Sequence, residues 1–469
     1  MKVFWRFSYI LALVFIVLIS LKGQAVIPFA LWKSQAGVNG WAWMNTYKND
    51  YYTGNYGTQG TGSTANYPSE RSYGVSNWRD NSGNFWLFGG WGVGSDGTFG
   101  TLGDLWKYVP GTGQWTYMKG PKNANATAVC GTKGTAAAGN YPGGRYNPQT
   151  WVDGTGNLWL FGGNGGNCGG GSNDNNDLWK YDVSTGNWTW MSGTSTGGNG
   201  TYGTKGTGST ANIPGGRQIS PGAYNMIDAS GDFWIFGGYG YDSAGGSGRL
   251  NDLWKYTVSS GQWTWVSGAN VIDQNGTYGT KGTGSTANVP GGRLNHLTWL
   301  DSATGYIWLL GGWARDSAGS TNAMNDFWKY EIATGKWTWV SGSSTAYVAG
   351  TYGTKGVGST ANIPSAIQQA RPMVDSSGNI WIAGGCCLDG AGAWSYLNAV
   401  WKYAPSTGQW TWVSGVSSGS KLGTYGTQGV GSTSNVMGGR HGPVTWMDTA
   451  GVIWVFSGVG LDKVASDHG

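Results

Sequence analysis

One unit recurs along this chain six times, and the copies at its two ends are fragments that complete each other. The motif "FGG", or a near relative, begins at Phe88, Phe161, Phe236, Leu310, Ala383 and, as "FSG", Phe456, at spacings of 73, 75, 74, 73 and 73 residues. Eighteen residues after each of the first five comes the Trp of an "LWKY"-type segment (Trp106, Trp179, Trp254, Trp328, Trp401). Nine residues further on comes the first Trp of an aromatic pair (Trp115, Trp188, Trp263, Trp337, Trp410). The sixth motif has no such partners behind it. They stand at the opposite end, as "LWK" at 31–33 and "WAW" at 41–43, with Trp32 and Trp41 again nine apart. A fixed long period decides architecture before local propensity does. Complementary end fragments predict a closed ring in which residues 26–45 and 440–469 share one composite blade.

Composition sets the class of each unit. The chain of 469 residues has 88 Gly, 31 Trp and 25 Tyr but only two Glu, Glu70 and Glu331, so it is poor in helix formers and rich in strand and turn residues. Four short strands are expected per unit, as at 145–152, 157–163, 178–183 and 187–191, with "DGTG" and "STG" as hairpin turns. Radial repetition of four-stranded units predicts an all-β, six-bladed β-propeller. The double Gly after an apolar strand, the following "ND-L-W-x-Y" and the Trp nine residues later resemble the Kelch repeat over nearly all of 26–469. The period of about 74 is longer than the roughly 50 of a usual Kelch unit. The excess holds a 16-residue segment, "YGTKGTGSTANIPGGR" at 202–217, with copies starting at Tyr56, Cys130, Tyr278, Tyr352 and Tyr425. A segment copied around a ring reads as scaffold; the competing reading is a ring of repeated sites for a repeating polymer. The chain closely resembles secreted bacterial Kelch-repeat proteins with this longer unit, a resemblance that implies a fold and no particular reaction.

The N-terminus differs from the rest. Lys2 and Arg6, an apolar run over 7–21 and the small residues "GQA" ending at Ala25 read as a signal peptide over 1–25. The remainder is expected to be secreted, extracellular or periplasmic, with no later membrane span. Loss of Lys2, Arg6 and Lys22 takes 28 basic groups to 25 against 23 acidic ones, which predicts no nucleic-acid partner. In an oxidising compartment Cys130 and Cys168, on one face of one blade, are expected to form a disulfide. Cys386 and Cys387 stay open between a vicinal disulfide and buried thiols.

Candidate binding residues hold fixed places but change between copies. In an up-and-down blade the 2–3 and 4–1 connections share one face, where a ligand is expected. The residue after the double Gly is Trp91, Asn164, Tyr239, Trp313 or Cys386, and Tyr241, Arg315, Trp394 and Tyr396 lie in the same connections. Trp91, Tyr239, Tyr241, Trp313, Arg315 and Trp394 form the expected ligand-binding set, with inter-blade packing as the alternative. Structural ion pairs are expected for Arg71–Asp104, Arg145–Asp177, Arg217–Asp252 and Arg293–Asp326, because blade five loses both members, to Ile367 and Ala399. Blade six keeps Arg440 opposite Ala30. The alternative is a positive ring for anions. Six Asp (80, 153, 228, 301, 375 and 448) read as turn residues, and "SNDNND" at 172–177 as a solvated loop or a Ca²⁺ site.

The catalytic vocabulary is sparse. Histidines number three, His296, His441 and His468, and no Cys-x-x-Cys, nucleophile elbow, P-loop or His-Glu-x-x-His occurs. The Kelch resemblance brings in a copper oxidase with a Tyr–Cys crosslink and a sialic-acid epimerase, but copper needs clustered imidazoles. No catalytic residue, metal ligand or cofactor is assigned. The expected function is a monomeric, non-catalytic binding scaffold for a glycan or an extracellular protein. The alternative is a carbohydrate-active enzyme with unrecognised catalytic residues.

Overall fold

The computed structural model describes residues 30–35, 40–46 and 52–461, apart from 220–222, 225, 428 and 457; the leader at 1–25 and parts of both end fragments lie outside the described residues. Every regular element among the described residues is a strand. In the first unit Ser76–Arg79, Phe85–Phe88, Leu105–Val109 and Gln114–Lys119 lie side by side in chain order and antiparallel. Gln149–Val152, Leu158–Phe161, Leu178–Asp182 and Asn187–Ser192 repeat that order, as do Pro372–Val374, Ile380–Ala383, Val400–Ala404 and Gln409–Ser414. In the third and fourth units the middle strands are longer, Phe233–Tyr241 with Ser247–Thr257 and Tyr306–Arg315 with Thr321–Glu331. The end fragments share one sheet. Ala30–Gln35 pairs with Gly40–Thr46 on one side and with Ile453–Phe456 on the other, and Val444–Met447 follows.

First strands of successive units are neighbours. Ser76–Arg79 lies against Gln149–Val152, which lies against Ala223–Tyr224; that strand pairs with Leu297–Asp301, which meets Pro372–Val374. Pro372–Val374 touches Val444–Met447, and Val444–Met447 touches Ser76–Arg79. Between sheets the contacts are aromatic. Phe85 stacks on Trp446 at 4.8 Å and Trp151 on Phe233 at 5.0 Å, while Trp446 Nε1 donates to the carbonyl of Trp78. Neighbouring units thus bury apolar faces that neither could hide alone.

Two expected strands are shorter than the sequence pattern indicates. The strand expected at 145–152 is broken: Gln149–Val152 joins the main sheet, and Arg145–Tyr146 pairs with Asn164–Gly166 in a small second sheet that also holds Ser172–Asp174. Asn147 turns the chain between them with φ 56°, a left-handed conformation that Asn tolerates. The second strand stops at Phe161 rather than 163, at the double glycine. Gly162 and Gly163 have φ 69° and 85°, and a Cβ on Gly162 would stand 2.8 Å from the carbonyl oxygen of Arg217. Gly163 N–H donates to that same carbonyl at 2.8 Å, as Gly90 does to Arg145 and Gly385 to Arg440. In these three units the motif therefore ties the unit to the next, and the 2–3 connection beyond it is a β-hairpin rather than a loop.

The 16-residue segment covers the outer edge of the unit that follows it. Ser63 exchanges backbone hydrogen bonds with Trp115 of the fourth strand, and Ala137, Ser209, Ser285, Ser359 and Ser432 meet Trp188, Trp263, Trp337, Trp410 and Trp41 in the same way. Asn66 locks the segment down by donating to the carbonyls of Trp115 and Thr61, and each copy has its own Asn in that role. Four copies add a lysine: Lys133, Lys205, Lys281 and Lys355 each sit 4.2–4.5 Å over a Trp ring and donate to a glycine carbonyl. An edge strand with its N–H and C=O groups open would invite another chain, and this covering removes that edge.

Under the segment lies a buried carboxylate. Asp252 accepts two bonds from Arg217 (2.7 and 2.8 Å), one from Trp254 Nε1 (2.7 Å) and one from the Tyr202 hydroxyl (2.6 Å). Arg71–Asp104 and Arg293–Asp326 are built identically with Tyr56 and Tyr278, and Arg145–Asp177 lacks the tyrosine because Cys130 stands there. Arginine and aspartate side chains of these pairs are at most 2% exposed. Burial lowers the pKa of Arg217, but the charge and hydrogen bonds of Asp252 outweigh it and hold the pKa above its usual value. Replacing one member alone strands the other charge in the core. Asp252→Ala should therefore cost about 3–5 kcal/mol. The double change Arg217→Ile with Asp252→Ala, which copies the fifth unit, should cost less than that single change, as urea unfolding of both variants will read.

Candidate functional site

The six expected ligand residues all lie on or beside the hairpins beyond the double glycines, and the structure brings two of them together. Trp394 is 49% exposed, and its ring lies 6.2 Å from that of half-buried Trp313 on the neighbouring hairpin, at 79°. The inner side of Trp313 packs on a small cluster that includes Ala323, Ala366 and Cys386. Trp91 packs edge-on against Phe99 (5.7 Å) and against Tyr146 of the next unit (5.9 Å). Tyr239 is half-buried opposite Gln218 and Arg249. Tyr241 donates its hydroxyl to Asn173 Oδ1 at 3.1 Å, and Arg315 Nε donates to Asn275 Oδ1 at 3.2 Å. Packing between hairpins thus accounts for Trp91 and Tyr241, whereas the Trp313–Trp394 pair keeps an open aromatic surface.

A third aromatic at this place escapes sequence reasoning. Tyr347 is 46% exposed with φ 63°, and its N–H bonds the carbonyl of Ala323, the residue paired with Trp313. Equivalent turns hold Asn125, Gly197, Asp273 and Ser420, residues suited to a left-handed backbone. A tyrosine there is an outlier of the kind that clusters at functional sites. Its signal in the sequence is an aromatic ten residues after Trp337, where three other copies have a small polar residue.

Other expectations are corrected or resolved by burial. The four paired arginines are sealed in the core, so they form no positive ring for anions. "SNDNND" is not a solvated loop: Asp174 is buried and accepts from Asn164 and Gln218, Asn176 accepts from Thr194, and Asp177 belongs to Arg145. Burial raises the pKa of Asp174 against those hydrogen bonds. Five of the six turn Asp also accept a Trp indole N–H; Asp301 does not, because its turn is one residue longer. Cys130 and Cys168 form a disulfide with Cα atoms 5.7 Å apart. Cys386 and Cys387 are buried thiols with sulfurs 3.2 Å apart, and burial raises the pKa of Cys387.

A cavity of about 390 Å³ sits between the first strands of the first, second, fifth and sixth units, with Asn77, Arg79, Thr150, Arg371 and Thr445 on its walls and the turn residues Asp80 and Asn81 at one end. A second opens among the turns of the fourth, fifth and sixth units. Among the described residues no group of three or more His, Cys, Asp or Glu converges. No protein-family model matches the chain, and no curated protein matches it.

His296 belongs to the core. It is fully buried with its ring 5.5 Å from that of Phe236, and burial, aided by the charge of Arg293, pushes its pKa down from 6.5 to about 3. Between these values the unfolded chain binds a proton that the folded chain refuses, so stability is lost as pH falls through that window. His296→Phe should flatten the decline by up to about 1.4 kcal/mol per pH unit, measured as urea midpoints from about pH 6.5 down to 4.

Proposed function

We propose that this chain is an exported, Kelch-like, six-bladed β-propeller that serves as a non-catalytic binding scaffold and takes a glycan or an extracellular protein on the face carrying the hairpins. The ring is supported by the adjacency of all six first strands in cyclic order and by the sheet that joins the two ends of the chain. Export is supported by the leader-like residues 1–25 and by the Cys130–Cys168 bond, which suits an oxidising compartment. One observation carries the binding reading: Trp313 and Trp394 form a partly exposed aromatic pair between two units, and exposed Tyr347, tied by its N–H to the residue paired with Trp313, holds a backbone conformation that costs stability. Aromatic faces held on rigid β-hairpins suit stacking on sugar rings or anchoring a protein side chain.

Closure has a direct test. Deleting residues 26–45 removes two strands of the composite sheet, so the melting temperature should fall sharply by differential scanning calorimetry; an unchanged value contradicts the ring.

Binding is tested on a glycan array and by retention of extracellular proteins. Trp394→Ala should abolish retention of the ligand found and leave the melting temperature within about a degree, since an exposed side chain contributes little to the core. Tyr347→Asn should raise stability by about 1 kcal/mol, by relieving the left-handed strain, and should weaken binding. Turnover of a bound glycan would move the assignment to a carbohydrate-active enzyme.

A further inference from the structure

Arg371 is a buried cation without a buried anion. It is 6% exposed, and its guanidinium reaches from the fifth unit to the first, donating to Asn77 Oδ1 and to the carbonyl of Val75, both neutral acceptors. Its Nε has no hydrogen-bond partner among the described residues, and no carboxylate lies within ion-pair distance. Burial pushes its pKa down to about 9, whereas Arg71, Arg217 and Arg293, buried beside their aspartates, are held above the usual value. Arg79 shares the cavity, also makes no ion pair, and has a buried Nε without a partner. The hydroxyl of Thr445, on the same cavity wall, is a third buried polar atom with none. Asp80 is the one carboxylate on that wall. Its oxygens are taken by Asn84, by Trp86 and by the backbone N–H groups of Ser82 and Asn84.

We propose that this cavity is a binding site for a small dicarboxylate, its two carboxylates paired with Arg79 and Arg371 and a hydrogen bond taken from the Thr445 hydroxyl. Two unpaired guanidiniums call for two negative charges, since a buried charge is costly until paired and hydrogen-bonded. A planar guanidinium fork can hold both oxygens of a carboxylate, which a point-like ammonium cannot. About 390 Å³ is in the range of small-molecule sites. This site is separate from the aromatic junction and does not rest on it.

Titration calorimetry of the full-length exported protein with succinate, malate, acetate and sulfate decides the matter. Succinate or malate should bind saturably, with acetate at least tenfold weaker. Arg371→Met should abolish that binding. Because Arg371 is buried, folding of this variant is checked by circular dichroism, and Arg79→Gln, at a half-buried position, gives an independent reading: the dicarboxylate should bind to it at least tenfold more weakly. No binding of any anion, acetate equal to succinate, sulfate as the sole ligand, or Arg79→Gln unchanged would each overturn the assignment.

Discussion

A carboxylate with no access to water can exist in this core only because four donors from three separate segments converge on it. In the third unit Asp252 gathers Arg217 from the start of the first strand, Trp254 from its own strand and Tyr202 from the 16-residue segment. Two buried charges in place of apolar groups gain little net stability. What the arrangement fixes is geometry. If Tyr202 moves, its hydroxyl loses its acceptor, and the segment that seals the fourth-strand edge loses its anchor. The edge cover, the ladder and the junction to the next unit therefore rest on one buried group. The glycine pair extends this logic, since Gly163 can reach the carbonyl of Arg217 only with both glycines in left-handed conformations.

Most of the scaffold was legible because its constraints repeat. Positions of Asp, Arg, Trp and Gly recur at fixed intervals, and each recurrence reports the same geometry in each unit: Trp32 and Trp41, nine apart at the N-terminus, mark two adjacent strands of a sheet, the first of which pairs with the C-terminal fragment. Joint loss of Arg and Asp, to Ile367 and Ala399, marks the two positions as a pair. Strand limits were only partly legible: within 145–152 the dipeptide Asn147–Pro148 is a turn signal, and the left-handed φ of Asn147 divides the strand there. The hairpins beyond the double glycines read as loops because their short strands are rich in Gly and Asn, as at Asn164–Gly166.

The candidate sites were less legible for a different reason. A repeat analysis finds what is shared, and a ligand site is where copies differ. Trp313 and Trp394 were visible as variable aromatics, but Trp91 and Tyr241 looked equally promising and turned out to pack between hairpins. Tyr347 is marked only by an aromatic ten residues after Trp337 where three other copies have a small polar residue, a departure from the repeat rather than a part of it. Arg371 was invisible: its place in the other units is held by Ser76, Gln149, Tyr224, Leu297 and Val444, and only the three-dimensional structure reveals that it reaches across to the first unit without a counter-charge.

These departures share a location. The fifth unit is the one in which the Arg–Asp pair is replaced by Ile367 and Ala399, and it also supplies Arg371, Trp394 and the thiols Cys386 and Cys387. A buried ion pair exchanged as a whole for apolar side chains of suitable volume is near neutral in stability, whereas losing one partner is severe. Ile367 and Ala399 are both buried, and they pack in one cluster with Tyr352, whose hydroxyl is relieved by Ser365 rather than by an aspartate. A unit that meets its core requirement with apolar contacts is no longer bound to the geometry of a four-donor carboxylate. Its backbone and surface can then change without stranding a charge. In a chain of near-copies, that is the physical condition under which one unit can acquire an exposed Trp on a hairpin and a buried guanidinium without a counter-charge in the cavity between first strands.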